Sequence, residues 1–442
     1  MARIILSTFG SAGDLNPFIA LGLRLRAQGH EIRFAVQDHF RASVESQGFP
    51  VDLLSGNVVT SLAPYSQQMV GKSSPLTSLS ILVQHGILPS LAANIEELRQ
   101  ACHAADLLVT SFAQLAASSA ADLTGIPWMT VALTPVTLPS AYIITQPQPF
   151  PLPELLQRAS NRLTWKLGGL ALARVVDQPV NRVRAAYGLP PRRELFWLGN
   201  ASDSLICLAC SPAFQPPPPD WPAAVQMTGF CFWDTPSGWE PPADLQTFLH
   251  DERPLVTVTA GSIGPQARQA FQPYFHTSIA AIRRAGARAL VIGASAADLG
   301  LPPERDVFAL PFAPYSAVFP RCAAIIHHGG IGTTAQALRF GVPALIVPWG
   351  MDQFYTASQV ARLGTGLYLT WRRYTLDRAA RSVHALLHDG RYAQAASGLR
   401  DQIAQEDGAA ALCAAIQARL ASQPAPAQAM RRQQAGEHYE KL

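Results

Sequence analysis

Residues Ala323 to Gln353 read AAIIHHGGIGTTAQALRFGVPALIVPWGMDQ. The apolar run Ala323–His327 predicts a strand, and Gly329, Gly330 and Gly332 predict a sharp loop after it. Thr333 and Thr334 then open a helix that Gly341 closes, and Ala344–Val347 predicts a second strand ending at Pro348. Such a loop suits an anion. Glycine lets backbone N–H groups approach without Cβ obstruction, and the first turn of the helix supplies unpaired donors and a positive partial charge. The Thr333 and Thr334 hydroxyls and the His328 imidazole add further donors. No lysine stands in the loop, so the P-loop pattern is absent.

Working outward, Asp352 and Gln353 fall just past the second strand, on the same sheet edge as the glycine loop. A carboxylate beside an amide can bind vicinal hydroxyls. Asp352 also fits as N-cap of the following helix. A second loop, Thr259 to Gly264 with Gly261 and Ser262, follows another apolar run and reads as a tight turn or as a second half of a phosphate cradle. Phe312 and Ala313, in Pro311–Tyr315, again follow a strand; the ring can stack on a base or cover core. At the N-terminus, Phe9–Pro17 (FGSAGDLNP) carries Gly13 and Asp14 but lacks the third glycine of a dinucleotide fingerprint. Asp14 fits either a helix cap or a general base at a cleft.

Composition narrows the function classes. Charged residues are 14% of the 442 and apolar residues 48%, against about 25% charged in an average soluble chain. That excludes extensive disorder and a highly charged nucleic-acid binder. The net charge is +4, and only Lys72, Lys166 and Lys441 are not arginine among the basic residues. No signal peptide is expected at Arg3–Ser7, and prolines break the longest uncharged stretch, 123–153, so no membrane-spanning helix is expected there. A soluble, cytoplasmic protein with at most peripheral membrane contact is the expectation. The six cysteines show no disulfide framework, and Cys207 with Cys210 reads as core. His384 and His388 stand four apart without a third ligand nearby, and no Asp-x-Asp occurs, so no metal is expected. A serine-hydrolase elbow is also missing.

Apolar strands alternate with helical segments from Arg3 to Leu133 and again from Pro254 to Val347, which predicts α/β class with parallel sheets. The four prolines of Gln215–Pro222 interrupt the series. The expected division is a domain over 1–215, a proline-rich linker with the first strand of the second domain over 216–253, and a second domain over 254–395. A C-terminal helix over 396–421 is expected to return toward the first domain, with a disordered tail over 422–442.

HHGGIGTT followed by GVPALIVPWGMDQ resembles the donor signature of family 1 nucleotide-sugar glycosyltransferases of GT-B fold. STFGSAGDLNPFIALG resembles the N-terminal signature of their sterol-glucosyltransferase and rhamnosyltransferase branch, and PPPPDWPAAVQMTGF is similar to a rhamnosyltransferase chain. The resemblance runs from about residue 3 to 420. It implies two Rossmann-like domains facing across a cleft, the first binding acceptor and the second donor. It implies that Ser262, His328, Gly330, Gly332 and Thr333 hold a diphosphate, that Asp352 and Gln353 hold the donor sugar, and that Phe312 and Ala313 meet the nucleobase. It places Asp14 as catalytic base. Gly13, Gly261, Thr334 and Gln336 are secondary, Gln336 standing where plant relatives use glutamate on the ribose. Ser111 and Thr110 stand where an aspartate often supports a catalytic histidine.

The implied reaction is metal-independent, inverting transfer from UDP-hexose, with dTDP-rhamnose second, to a hydroxyl of a lipophilic acceptor. No cofactor beyond the nucleotide-sugar co-substrate is expected, and the chain is expected to be a monomer or weak homo-oligomer that binds no nucleic acid. An epimerase, a non-catalytic nucleotide-sugar-binding subunit and, more distantly, a dehydrogenase are the alternatives.

Overall fold

The computed structural model describes residues 1–70, 75–143, 152–202, 205–236, 238–262, 265–301 and 305–422. Seven strands form the first sheet: β1 (Arg3–Ser7), β2 (Glu31–Gln37), β3 (Val51–Leu54), β4 (Leu107–Ser111), β5 (Trp128–Ala132), β6 (Ile206–Leu208) and β7 (Val225–Met227), in the order β3-β2-β1-β4-β5-β6-β7. Six form the second: β8 (Leu255–Thr259), β9 (Arg288–Ile292), β10 (Val307–Leu310), β11 (Ala324–His327), β12 (Ala344–Ile346) and β13 (Gly366–Tyr368), in the order β10-β9-β8-β11-β12-β13. The ladders β1–β2, β1–β4, β8–β9 and β8–β11 are parallel, as are the rest. Central strands β4, β8 and β9 are buried along their whole length, because helices cover both faces of each sheet. Each sheet reverses its strand order once, between β1 and β4 and between β8 and β11, and ligands of open α/β sheets bind at the carboxyl ends beside such reversals.

Two expectations need correction. β7 lies inside 216–253, the segment expected to hold the linker and the first strand of the second domain, yet it pairs with β6 at the edge of the first sheet. The helix expected over 396–421 is two helices, Gly390–Ile403 and Gly408–Ala421, split at Gln405–Asp407. The first stays on the second domain, and the second packs on helix Ala12–Ala27, with Leu412, Cys413 and Ile416 in the first domain's core. The tail expected over 422–442 lies, beyond Ser422, outside the described residues.

The chain crosses between domains twice, after β7 near Gly229–Phe230 and again at Glu406–Gly408, and the crossings lie side by side, a Cβ on Gly408 meeting the Gly229 and Phe230 carbonyls. The domains are also tied at Phe214–Gln215, where the Tyr355 hydroxyl donates to Gln215 Oε1 at 2.8 Å and Gln359 Nε2 donates to the Phe214 carbonyl at 3.2 Å. At Glu406–Asp407 the Ser211 hydroxyl donates to Glu406 Oε1 at 2.6 Å, and Asp407 pairs with Arg24. A third tie needs no crossing: Val70, from the first domain's helical segment 58–70, is buried in the core of the second domain with Val258 and Phe271.

The helical run Leu76–Ala101 has the length and composition to cross a bilayer, which the sequence reading did not anticipate. Its Leu79, Val83, Leu91, Ile95 and Leu98 lie in the first domain's core. All six cysteines are free thiols, and burial pushes those of Cys207 and Cys210 up.

Candidate active site

Between the carboxyl ends of the two sheets lies a cavity of about 510 Å³. Its floor joins two helix N-termini. Gly13, in the first turn of Ala12–Ala27, faces Gly332, in the first turn of Ile331–Arg339, so closely that a Cβ on Gly332 would touch the Gly13 Cα at 3.7 Å. Both helix ends thus turn their unpaired N–H donors toward one space, an arrangement that favours an anion.

Asp14 is the third residue of its helix, and its local role is reciprocal capping. Ser11 is the N-cap; the Ser11 N–H and hydroxyl donate to Asp14 Oδ2 at 2.7 and 3.1 Å. Asp14 is therefore not the N-cap itself. Gly10, at φ +126°, is required there, because a Cβ would overlap the Asp14 carboxylate. Burial raises the Asp14 pKa, and the Ser11 bonds oppose that rise. Ser111, at the end of β4, accepts from the Phe9 N–H at 3.3 Å and so steadies the loop before Asp14.

Across the cavity, His328 is held between two glycines. A Cβ on Gly261 (φ +78°) or on Gly330 would overlap its ring. Burial pushes its pKa down to about 4, which leaves it neutral at physiological pH. Its Nδ1, the Gln336 Oε1 and the Trp349 Nε1 are buried without a partner, and all three residues line the cavity. Buried polar atoms are nearly always paired, so three orphans around one space point to a ligand. The neighbouring His327 is wholly buried and structural, its Nδ1 accepting from the Gly329 N–H at 3.1 Å.

Gln353 Oε1 accepts from the Trp349 and Gly350 N–H groups at 2.9 and 3.1 Å, fixing the amide at the cavity wall. Asp352 stands beside it, preceded by Met351 at φ +52°, a strained conformation for a side chain of that size. Burial, reinforced by the Asp14 charge, pushes the Asp352 carboxyl up to about 6. Asp352 occupies the N-cap position but makes no side-chain cap.

Asp14, Gly13, Gly261, Ser262, His328, Gly330, Gly332, Thr333, Gln336, Asp352 and Gln353 all line this one cavity. Thr334 does not: its hydroxyl donates to the Gly330 carbonyl at 3.0 Å, inside the helix. Phe312 is half exposed and Ala313 is buried in core, and neither reaches the cavity wall. His384 and His388 are exposed on helix Leu376–His388, and among the described residues no three His, Cys, Asp or Glu cluster as metal ligands. Sequence reasoning missed Tyr315, Trp349 and the apolar wall of Phe9, Val58, Leu62, Ile87 and Phe196. Trp349 was legible from its place between Pro348 and Gly350; the apolar wall carries no motif.

A family model described as Erythromycin biosynthesis protein CIII-like, C-terminal domain, matches residues 293–431, and one described as Glycosyltransferase family 28 N-terminal domain matches residues 4–131. O-mycaminosyltylonolide 6-deoxyallosyltransferase of Streptomyces fradiae is 32% identical over 94% of this chain and 97% of its own length. A sterol 3-beta-glucosyltransferase of Aspergillus terreus is 29% identical over 94% of this chain, which spans 30% of that longer protein. Among solved structures, the glycotransferase of kitacinnamycin has a TM-score of 0.70 over 95% of this chain and 99% of its own, at 19% identity. Glycosyltransferase VinC in complex with DTDP has a TM-score of 0.65 over 94% of this chain and 99% of its own, at 18% identity. Those two likenesses carry the fold; the closer sequence match carries the kinship, and the chain belongs to the family 1 nucleotide-sugar glycosyltransferases of GT-B fold.

Proposed function

We propose that this chain transfers a hexosyl group, with inversion and without a metal ion, from a nucleoside diphosphate sugar to a hydroxyl of a lipophilic small molecule. The observation that carries this is the meeting of two helix N-termini at Gly13 and Gly332, with neutral His328 on one side and Asp14 on the other. In this reading the diphosphate sits on the N–H groups around Gly330, Gly332 and Thr333, with His328 and Ser262 donating to its oxygens. Asp352 and Gln353 bind sugar hydroxyls, and the orphaned Gln336 carbonyl accepts from the ribose. Phe312, just past the end of β10 and outside the cavity wall, offers the base the exposed face of its ring, with Ala313 buried behind it. The acceptor lies on the apolar wall, and Asp14 takes its hydroxyl proton. The acceptor oxygen then bonds to the anomeric carbon while the bond from that carbon to phosphate breaks, and the nucleoside diphosphate leaves with the electron pair. General-base help of this kind is worth about 10²–10⁴-fold, and stabilising the departing charge a comparable factor.

A UDP-hexose such as UDP-glucose is the first donor. The second, dTDP-rhamnose or another dTDP-deoxyhexose, is favoured by the deoxyhexose that the Streptomyces relative transfers and by the DTDP held by VinC. The relatives named above are transferases, which gives an epimerase no support. The proposed setting is the cytoplasm, as a monomer or weak oligomer.

Titration calorimetry with UDP, dTDP and NAD, with chelator throughout, tests the reading. UDP or dTDP should bind without metal, and His328→Ala should weaken that binding at least about tenfold through loss of a charge-assisted hydrogen bond. Binding of NAD alone, or unchanged affinity in the variant, would remove the cradle. The pH profile gives a second test. Asp14 must be ionised to accept a proton, and its pKa is raised, as is that of Asp352 beside it. The rate therefore falls as pH drops through those raised values, and the acid limb of kcat/KM should lie above the ordinary carboxylate range. A profile flat down to pH 5 would show that neither carboxylate titrates in the working enzyme.

A further inference from the structure

Helix Glu154–Leu172 is amphipathic the wrong way round for a core helix. Its inner side rests on the first domain through Asn161, which donates to the Ala141 carbonyl at 2.8 Å, and Trp165, which donates to the Ser140 carbonyl at 2.8 Å. Gly168 and Gly169 let the helix settle on the Trp197 ring. On the opposite side Leu155, Leu156, Leu163, Leu167 and Leu170 form one stripe at helical spacing, each between 56% and 78% exposed. Single exposed leucines need no explanation, but five on one helix face do.

Charge says what covers the stripe. Arg162 and Lys166 run along one of its edges one helical turn apart, Arg174 stands beyond its C-terminal end, and Ser160 and Thr164 occupy the other edge. Arg162 and Lys166 form no ion pair among the described residues, and Glu154, the one acid on the helix, is taken by Arg158. A second copy of the same face would bring these cations together without acids to answer them. Anionic headgroups answer them directly, since long basic side chains reach up from an apolar face that dips into the acyl boundary. Trp197 beneath the helix is the chain neighbour of Phe196, which lines the cavity.

We propose that helix Glu154–Leu172 is a docking surface for an anionic lipid bilayer. The inference does not depend on which donor or acceptor the cavity takes. The full chain is sedimented with phosphatidylcholine vesicles and with vesicles of phosphatidylcholine and phosphatidylglycerol at three to one, at low and high salt. The bound fraction should be at least about tenfold greater on the anionic vesicles at low salt and should fall as salt screens the basic edge. Leu163→Gln/Leu167→Gln/Leu170→Gln should lose binding at least tenfold while its thermal melt is little changed, because these leucines are more than half exposed and belong to no core cluster. Arg162→Gln/Lys166→Gln should lose the preference for anionic vesicles. Absence of binding by the unaltered chain, or equal binding by the leucine variant, overturns the proposal. So does a dimer in sedimentation equilibrium that the leucine variant dissociates, since a second copy would then own the stripe.

Discussion

Asp14→Asn is expected to lose at least about a hundredfold in kcat while binding UDP or dTDP as tightly as the parent chain. The substitution is informative because it separates two roles of one side chain. An asparagine oxygen can still accept from the Ser11 N–H and hydroxyl, so the helix start survives, while the amide can no longer take a proton. Asp14→Ala removes both roles and should also cost about 1 kcal/mol of stability through the lost cap. Steady-state kinetics beside a thermal melt tells the cases apart. Near-normal turnover in Asp14→Asn would leave Asp14 as a cap alone.

The second large effect is expected from one methyl group. Gly330→Ala should weaken nucleotide binding by at least about tenfold, read by calorimetry, with little change in melting temperature. Gly330 has φ −61° and ψ 138°, values any residue adopts, so alanine brings no backbone strain. What the new Cβ meets is the His328 ring, which must swing away from the loop. Gly261→Ala is a poorer test, because φ +78° would add strain to the same clash. Unchanged affinity in Gly330→Ala would mean that the imidazole position does not matter to the diphosphate.

The main strands of both sheets were legible because parallel strands buried on two faces read as short continuous apolar runs. The strand β7 was not. Val-Gln-Met is three residues long, half exposed and close behind a run of prolines, and its allegiance to the first sheet is decided by pairing with β6, which no local pattern encodes. The glycine loop that lines the cavity was legible because glycines between an apolar run and a helix start mark a tight strand-to-helix turn. Within it, Thr333 and Thr334 are indistinguishable in sequence, yet the helical rotation sends one to the cavity and turns the other back on Gly330. Helix Glu154–Leu172 marks the same limit from the other side: periodicity reveals an apolar face and says nothing about whether it looks inward or out.

Val70 belongs to the first domain by chain and to the second by burial. Any parting of the two domains must draw that side chain back into water, at a cost of about 1.5 kcal/mol, which lowers the population of the parted form about tenfold. Burial of Val70 thus favours the closed cleft over any parted form.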